Sequence, residues 1–166
     1  TDKVHFDGHR EIEFFKYLQA EAGETTAKYA IPSPSMLHFR GEIDESVYPD
    51  IEVFFEDLAQ TYKEVLAAFY DAGCRYLQLD DTSWGYFCSD EERQKLIDKG
   101  QDPEYLKEKY LEVLNKAVAD RPDDFKITMH ICRGNFRSTW ISSGGYEPVA
   151  EILFGRLNID GFFLEY

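Results

Sequence analysis

The sequence predicts an α/β protein built around a parallel β-sheet. Short apolar segments with the length of strands alternate with longer segments whose apolar residues recur every three or four positions, the repeat of a helix with one buried face. Alternating strands and helices are typical of parallel sheets joined by right-handed crossovers. With 166 residues, 43% of them hydrophobic and 16% aromatic, the chain can bury a core as one domain, residues 1–166.

Four helices and four strands are predicted along the chain. The first helix ends near Gly23, since glycine is common just past a helix C-terminus, and the strand after it stops at Pro32, which has no N–H for a sheet. Apolar residues at helical spacing after Pro49 predict a long helix, and Pro103 opens the next one. The predicted helices are 11–20, 51–73, 103–118 and 147–154, and the predicted strands are 28–31, 75–79, 125–129 and 159–164.

This alternation favours a partial (β/α)8 TIM barrel of about four βα units. A doubly wound sheet usually carries a glycine-rich turn after its first strand, and the chain contains neither GxGxxG nor GxxxxGK[ST]. A complete barrel takes about 250 residues, more than this chain has. We therefore expect one domain that forms part of a barrel.

Composition restricts the partners and the compartment. A formal charge of −14 argues against a nucleic-acid partner, since phosphate binding needs clustered Lys and Arg. Three widely separated cysteines, at positions 74, 88 and 132, indicate a reducing compartment instead of a disulfide framework. No apolar run approaches the ~20 residues of a membrane-spanning helix. We expect a cytoplasmic protein that binds small-molecule substrates and no membrane, and the sequence leaves its oligomeric state open.

Two predicted strands end in residues that suit a metal site. His130 and Cys132 lie two positions apart at the end of the third strand, and residues at i and i+2 share one face of a strand. Glu165 lies at the end of the fourth. Imidazole, thiolate and carboxylate are all zinc ligands, and a catalytic zinc commonly takes three protein ligands. These three residues are candidate zinc ligands, with a core histidine, an inert thiol and an ion-paired acid as the alternative.

Further polar residues follow the first and second predicted strands. Ser33 follows the first strand, and Asp80 and Asp81 follow the second, with Trp84 close behind. Because active sites of parallel α/β proteins lie at the C-terminal ends of the strands, these clusters predict a site at that edge. Alternatives stay open, since the acid pair could cap a helix and Trp84 could pack in the core. The direction of Cys88 cannot be read from the pattern.

These segments resemble the cobalamin-independent methionine synthase family, in particular its short single-barrel members of the methionine synthase II type. The segment 77–81 is similar to the family's Gln-x-Asp-Glu-Pro-Ala, and the segment 130–135 to its zinc-binding His-x-Cys segment. The segment 162–165 resembles the strand that carries the family's zinc-binding Glu, and the segment 31–34 resembles its proline-rich segment. The resemblance covers the chain from about Tyr29 onward.

The resemblance implies a zinc-dependent methyltransferase that moves a methyl group from 5-methyltetrahydrofolate to the thiol of homocysteine, giving methionine. It implies that Asp80 holds the homocysteine amino group and that Asp81 orients substrate or supplies a proton. Ser33 and Trp84 would line the substrate pocket, with the Trp84 ring available to stack on a flat donor. The family's fourth zinc ligand is a cysteine on a later strand. The resemblance therefore implies a fragment that lacks both ends of the barrel, with the fourth ligand expected beyond Tyr166.

Two other functions remain open. A related barrel enzyme, of the uroporphyrinogen decarboxylase or coenzyme M methyltransferase kind, would use the same edge for another substrate. The segment 81–83 reads Asp-Thr-Ser where the methionine synthases have Glu-Pro-Ala, so the pocket there is expected to differ. A metal-free binding or structural domain, with His130 and Cys132 as core residues, is the alternative from a different class.

Overall fold

The computed structural model describes residues 2–166, apart from the side chain of Phe136; Thr1, the first residue of the predicted domain, lies outside the described residues. The helices in this range are α1 (Glu11–Ala22), α2 (Ser35–Arg40), α3 (Ile51–Asp71), α4 (Ser83–Phe87), α5 (Asp90–Asp98), α6 (Pro103–Val118) and α7 (Glu147–Arg156). The strands are β1 (Lys28–Pro32), β2 (Tyr76–Asp81), β3 (Lys126–Ile131), β4 (Asn135–Phe136), β5 (Thr139–Trp140) and β6 (Gly161–Leu164).

Four of these strands form one parallel sheet, in the order β1-β2-β3-β6. The strands of this sheet stand in the same order in space as along the chain, and helices connect them. Sequential order is that of a (β/α) barrel, whereas a doubly wound sheet changes direction at a switch point. The predicted fold class, α/β with a partial barrel of about four βα units, is confirmed.

The two longest helices begin where the sequence predicts, because both have side-chain caps. The Asp50 carboxylate accepts the N–H of Glu52 at 2.9 Å before α3, and Asp102 accepts the N–H of Glu104 at 2.9 Å before α6. Such acceptors satisfy the N–H groups that a helix leaves free in its first turn. The apolar faces of α3 and α6 then pack in the core.

The structure adds short elements that the sequence pattern did not predict. Helix α2 follows β1, helices α4 and α5 follow β2, and the antiparallel pair β4–β5 follows β3. All of them lie in the loops at the C-terminal ends of the parallel strands. This is the edge at which the sequence predicts a site.

The parallel strands have one buried and one open face, since successive side chains alternate. On β2, Leu77, Leu79 and Asp81 are buried, whereas Gln78 and Asp80 are partly exposed on the opposite face. The core lies against the buried face, and its largest side chains are Trp84, Tyr110, Phe15, Phe87 and Phe125. Within residues 2–166 no helix has both the length and the apolar character to cross a lipid bilayer.

Candidate functional site

The ends of β2, β3 and β6 bring three polar side chains into one row. Parallel pairing sets Asp80 opposite His130, and His130 opposite Phe163. Glu165 comes two residues after Phe163, and its carboxylate lies beside the His130 ring. We call Asp80, His130 and Glu165 the donor row.

The imidazole of His130 is the centre of the donor row. Its Nδ1 lies 3.4 Å from Oδ1 of Asp80, and its Nε2 lies 3.5 Å from Oε1 of Glu165. Both distances exceed a normal hydrogen bond, so the ring is aligned with two carboxylates without being tightly bound to either. Gln78 holds the outer end of the row, because its Nε2 donates to Oδ1 of Asp80 at 2.6 Å. The side chains of Asp80, His130 and Glu165 are 45%, 28% and 39% exposed, so a ligand can reach them.

Backbone groups after β3 hold Cys132 and Glu165. The N–H of Arg133 donates to Oε2 of Glu165 at 2.7 Å, and the N–H of Gly134 donates to Sγ of Cys132 at 3.3 Å. The N–H of Cys132 donates to the carbonyl oxygen of Asp81 at 2.8 Å, which ties Cys132 to the end of β2. These backbone contacts fix the positions of a sulfur and a carboxylate, two of the donor types that zinc binds.

The donor types at this edge fit zinc, although their side chains do not converge on one point. Zinc takes nitrogen, sulfur and oxygen ligands of the kinds that His130, Cys132 and Glu165 provide. Within residues 2–166 no three side chains of His, Cys, Asp or Glu are arranged so that they could hold a metal ion together. The structure thus places the three predicted ligands at neighbouring strand ends, and their role as zinc ligands stays a prediction.

Asp81 faces away from Asp80 and lies in a buried group of hydroxyls. It is 1% exposed; its Oδ2 accepts hydrogen bonds from Ser33 and Ser35, and its Oδ1 accepts one from Ser83 at 2.6 Å. We call the three serines the serine cluster. Asp81 and Ser33 are both buried, with Asp81 on the face of β2 opposite Asp80, and their predicted direct action on substrate stays a prediction.

Trp84 belongs to the core. Its ring is fully buried and packs edge-on against Phe87 and Tyr110, at centroid distances of 5.7 and 6.4 Å. The ring thus packs in the core, as the alternative interpretation expects, and the stacking of Trp84 on a flat donor stays a prediction. Burial, and secondarily the charge of Asp81, raises the pKa of Tyr110 and of Tyr62 well above the ordinary tyrosine value.

Three residues that shape the site were not predicted. Gln78 lies on the same face of β2 as Asp80, and the two-residue repeat of a strand would have allowed this position to be predicted. Gly85 brings α4 so close to Cys132 that a Cβ there would collide with the Cys132 carbonyl oxygen, and a lone glycine gives no sign of this contact. Arg133 is only 5% exposed, whereas a loop arginine is ordinarily expected in solvent.

Comparison with known proteins shows what this chain is similar to. A Listeria monocytogenes protein, provisionally named a vitamin-B12-independent methionine synthase, has a solved structure that matches the whole chain with 52% identity and a TM-score of 0.85. The resemblance to the cobalamin-independent methionine synthases is confirmed. Two uncharacterized Bacillus subtilis proteins, YxjH and YxjG, are 54% and 47% identical to this methionine synthase-like chain over its whole length.

The chain spans less than half the length of these relatives, 44% of YxjH and of YxjG and 47% of the Listeria protein. A B12-independent methionine synthase from Shewanella sp. W3-18-1, solved in complex with selenomethionine, matches 83% of this chain and 33% of its own, with a TM-score of 0.54. At 18% identity that likeness shows the fold alone. No family model matches the chain.

Proposed function

We propose that this chain carries part of the active site of a zinc-dependent methyltransferase. The enzyme would move a methyl group from a 5-methyltetrahydrofolate donor to the thiol of homocysteine and form methionine. The observation that carries the proposal is the donor row, which aligns His130 with Glu165 next to Cys132, at the strand ends where barrels of this kind carry their active sites. Similarity to a provisionally named methionine synthase supports the same reaction.

The residues that would hold zinc are His130, Cys132 and Glu165, and a fourth ligand, by resemblance a cysteine, is expected beyond Tyr166. When bound, zinc supplies positive charge that favours the thiolate form of a substrate thiol, whose ordinary pKa is about 8.5. The soft Cys132 ligand and the carboxylate of Glu165 suit this task, because electron-rich ligands leave a sulfur nucleophile reactive.

Asp80 prepares His130 to act as a ligand. Its carboxylate faces Nδ1, which favours the tautomer with the proton on Nδ1 and the lone pair on Nε2. In that tautomer, Nε2 and Oε1 of Glu165 are two acceptors that face each other at 3.5 Å. A metal ion bound to Nε2 would lie between these two acceptors, so this tautomer is compatible with a metal site there.

The transfer breaks the bond between the methyl carbon and the donor nitrogen and forms a bond between that carbon and the homocysteine sulfur; the leaving nitrogen takes up a proton. Asp80, half-exposed beside His130, can accept a charge-assisted hydrogen bond from the homocysteine ammonium. Asp81 acts as a positioning residue beneath the site, because its carboxylate binds the serine cluster and its carbonyl oxygen binds the N–H of Cys132.

Zinc binding by a polypeptide that includes this chain and has the length of its relatives tests the ligand assignment. We expect His130→Ala and Cys132→Ala each to lower zinc affinity at least about tenfold, because each removes a ligand. Cys74→Ala is the matched control: this thiol is fully buried just before β2, at the opposite end of the sheet, and affinity should not change. Undiminished zinc binding by Cys132→Ala would contradict the assignment. Absence of zinc, with a melting temperature that chelation leaves unchanged, would favour the metal-free domain.

Methionine formation tests the reaction. It should be measured with homocysteine and several methyl donors on a polypeptide that includes this chain and has the length of its relatives. Asp80→Ala should raise KM for homocysteine, since the substrate ammonium loses its carboxylate partner. Zinc binding without methionine from any donor would favour the related barrel enzyme instead.

A further inference from the structure

A cavity of about 520 Å3 lies beside the residues that follow Cys132 and Glu165, and none of the proposed zinc ligands lines it. Its wall is formed by Arg133, which follows Cys132, by the loop of residues 142–145, and by Tyr146 at the start of α7. Tyr166, the neighbour of Glu165, lines it from the other side. The volume is in the range of small-molecule sites.

Arg133 is built into the wall of this cavity. Its N–H donates to Glu165, and its carbonyl oxygen accepts the N–H groups of Ile141 and Ser142 at 3.1 and 3.0 Å. The guanidinium carbon lies 4.2 Å from the centre of the Tyr146 ring, and the Tyr146 hydroxyl donates to the carbonyl oxygen of Glu165 at 2.9 Å. The side chain is 95% buried (5% exposed), so the guanidinium is held in one place.

One nitrogen of this buried guanidinium, the enclosed Nη1, lacks a hydrogen-bond partner in the part of the chain that the structure describes, whereas Nε donates to the carbonyl oxygen of Glu165 at 3.5 Å. The nearby Cys88 thiol does not neutralise the guanidinium, because burial raises the pKa of Cys88 more than the charge of Arg133 lowers it. A buried charge without a compensating acceptor is strongly unfavourable. The unpaired Nη1 therefore points to an acceptor that is not among residues 2–166.

The start of α7 lies at the same cavity. Tyr146, the N-cap residue, has no side-chain cap, but the first turn offers few N–H groups, because Pro148 has none and the N–H of Val149 donates to the carbonyl oxygen of Tyr146 at 2.9 Å. The partial positive charge of a helix N-terminus favours an anion. Gly144, with φ of 118°, packs the preceding loop against α4, where a Cβ would collide with the carbonyl oxygen of Cys88.

We propose that Arg133 and the start of α7 bind an oxyanion group of a small ligand, a carboxylate or a phosphate. The planar fork of N–H groups on a guanidinium suits both groups. Glu147, the carboxylate among the described lining residues, is exposed and favours a ligand with a single oxyanion over a polyanion. The proposal of an oxyanion site is argued from the position of Arg133 alone. The narrower proposal, that the oxyanion is the carboxylate of the methyl acceptor, rests on the proposed function.

Inorganic phosphate tests the site directly. A ligand that binds only the folded chain raises its melting temperature, and sodium chloride at matched ionic strength corrects for general salt effects. We expect a saturable rise, with phosphate affinity at least about tenfold lower in Arg133→Gln. Arg137→Gln, which removes an exposed arginine of the loop between β4 and β5, should change the affinity less than about twofold. An equal response of Arg133→Gln and the wild type would overturn the proposal.

A second variant covers the case in which Arg133→Gln does not fold. Arg133→Lys keeps the charge and loses the fork, so its phosphate affinity should lie between those of Arg133→Gln and the wild type. In the wild type, added phosphate should shift the NMR signal of the Arg133 Nε–H group. An unmoved signal at saturating phosphate would overturn the proposal without any variant.

Two thiols separate the sources of the oxyanion. L-homocysteine carries a carboxylate, and 3-aminopropanethiol is the same molecule without it. Tighter binding of homocysteine that Arg133→Gln abolishes assigns the site to a substrate carboxylate, and binding of phosphate alone assigns it to a phosphate group. Binding of neither refutes an oxyanion site. Zinc affinity, measured in the same samples, reports separately on the proposed function, so zinc binding can fail while the Arg133-dependent phosphate response persists.

Discussion

Replacement of Asp81 tests whether a buried carboxylate holds the strand ends together. Asp81→Ala removes the acceptor of three serine hydroxyls. Ser33 and Ser35 can still pair, because their Oγ atoms lie 2.7 Å apart, whereas Ser83 loses its acceptor. Asp81→Asn keeps the shape: its remaining oxygen can accept from Ser83 and from the N–H of Trp84, and its NH2 group can donate to serines that rotate to accept.

The expected losses of unfolding free energy differ severalfold. Asp81→Ala leaves the Ser83 hydroxyl and the N–H of Trp84 buried without their acceptor, at about 1–3 kcal/mol each, so we expect a loss of about 2–6 kcal/mol. Asp81→Asn exchanges charged hydrogen bonds for neutral ones, and we expect a loss of about 1–2 kcal/mol. Asp80→Ala is the matched control, because its side chain is 45% exposed and such substitutions usually change stability by less than about 1 kcal/mol.

Urea unfolding measures these differences. Circular dichroism reports on the helices, and tryptophan fluorescence reports on the buried Trp84 beside Asp81, so coincident transitions would support a two-state analysis. A loss of less than about 1 kcal/mol in Asp81→Ala, or equal losses in the alanine variants of Asp80 and Asp81, would refute the reasoning that burial separates these neighbours.

Three further changes have defined outcomes. Gly85→Ala places a Cβ against the Cys132 carbonyl oxygen, so urea unfolding should show a loss of about 1–3 kcal/mol and zinc affinity should fall; two unchanged values would contradict the close contact. Asp80→Ala should lower zinc affinity about tenfold in competition with a chelator, because His130 loses the carboxylate beside Nδ1, and Asp80→Asn should restore most of it. Burial lowers the pKa of His38, so below about pH 6.5 the unfolded chain takes up a proton that the folded chain does not. Stability should therefore fall as the pH drops from about 6.5 toward the lowered folded pKa, by at most about 1.4 kcal/mol per pH unit, and urea unfolding of His38→Gln at about pH 7 and about pH 5.5 should lack that part of the slope.

The long elements could be predicted because each carries independent signals. Helices α3 and α6 each have an apolar stripe and an aspartate N-cap, and either signal alone predicts the same first residue of the helix. Helix α4 has five residues with Gly85 in the middle, too short for a 3.6-residue repeat to be visible. It is stabilised by burial of Trp84 and Phe87 in the core, and contacts between distant segments cannot be read from a local pattern.

The position of the site was easier to predict than the partners of its side chains. Parallel strands end at one edge, so His130 and Glu165 were expected together, and they lie together. Alternation on β2 puts Asp81 on the apolar face of Leu77 and Leu79, and Asp80 on the face of Gln78, so the strand repeat implies which acid is buried. The partners that accommodate the buried Asp81 could not be predicted, because Ser33 and Ser35 lie 48 and 46 residues away in the sequence.

Asp81 also explains why a carboxylate is retained beneath the site, where an apolar residue could fill the same space. Its side chain joins the loop after β1 to the start of α4 through the serine cluster, and its carbonyl oxygen binds the N–H of Cys132. An apolar side chain would fill the volume and leave buried hydroxyls without acceptors, which is unfavourable. Asp80 and Asp81 therefore affect the proposed zinc site by different routes: Asp80 through the ring of His130, and Asp81 through the backbone position of Cys132.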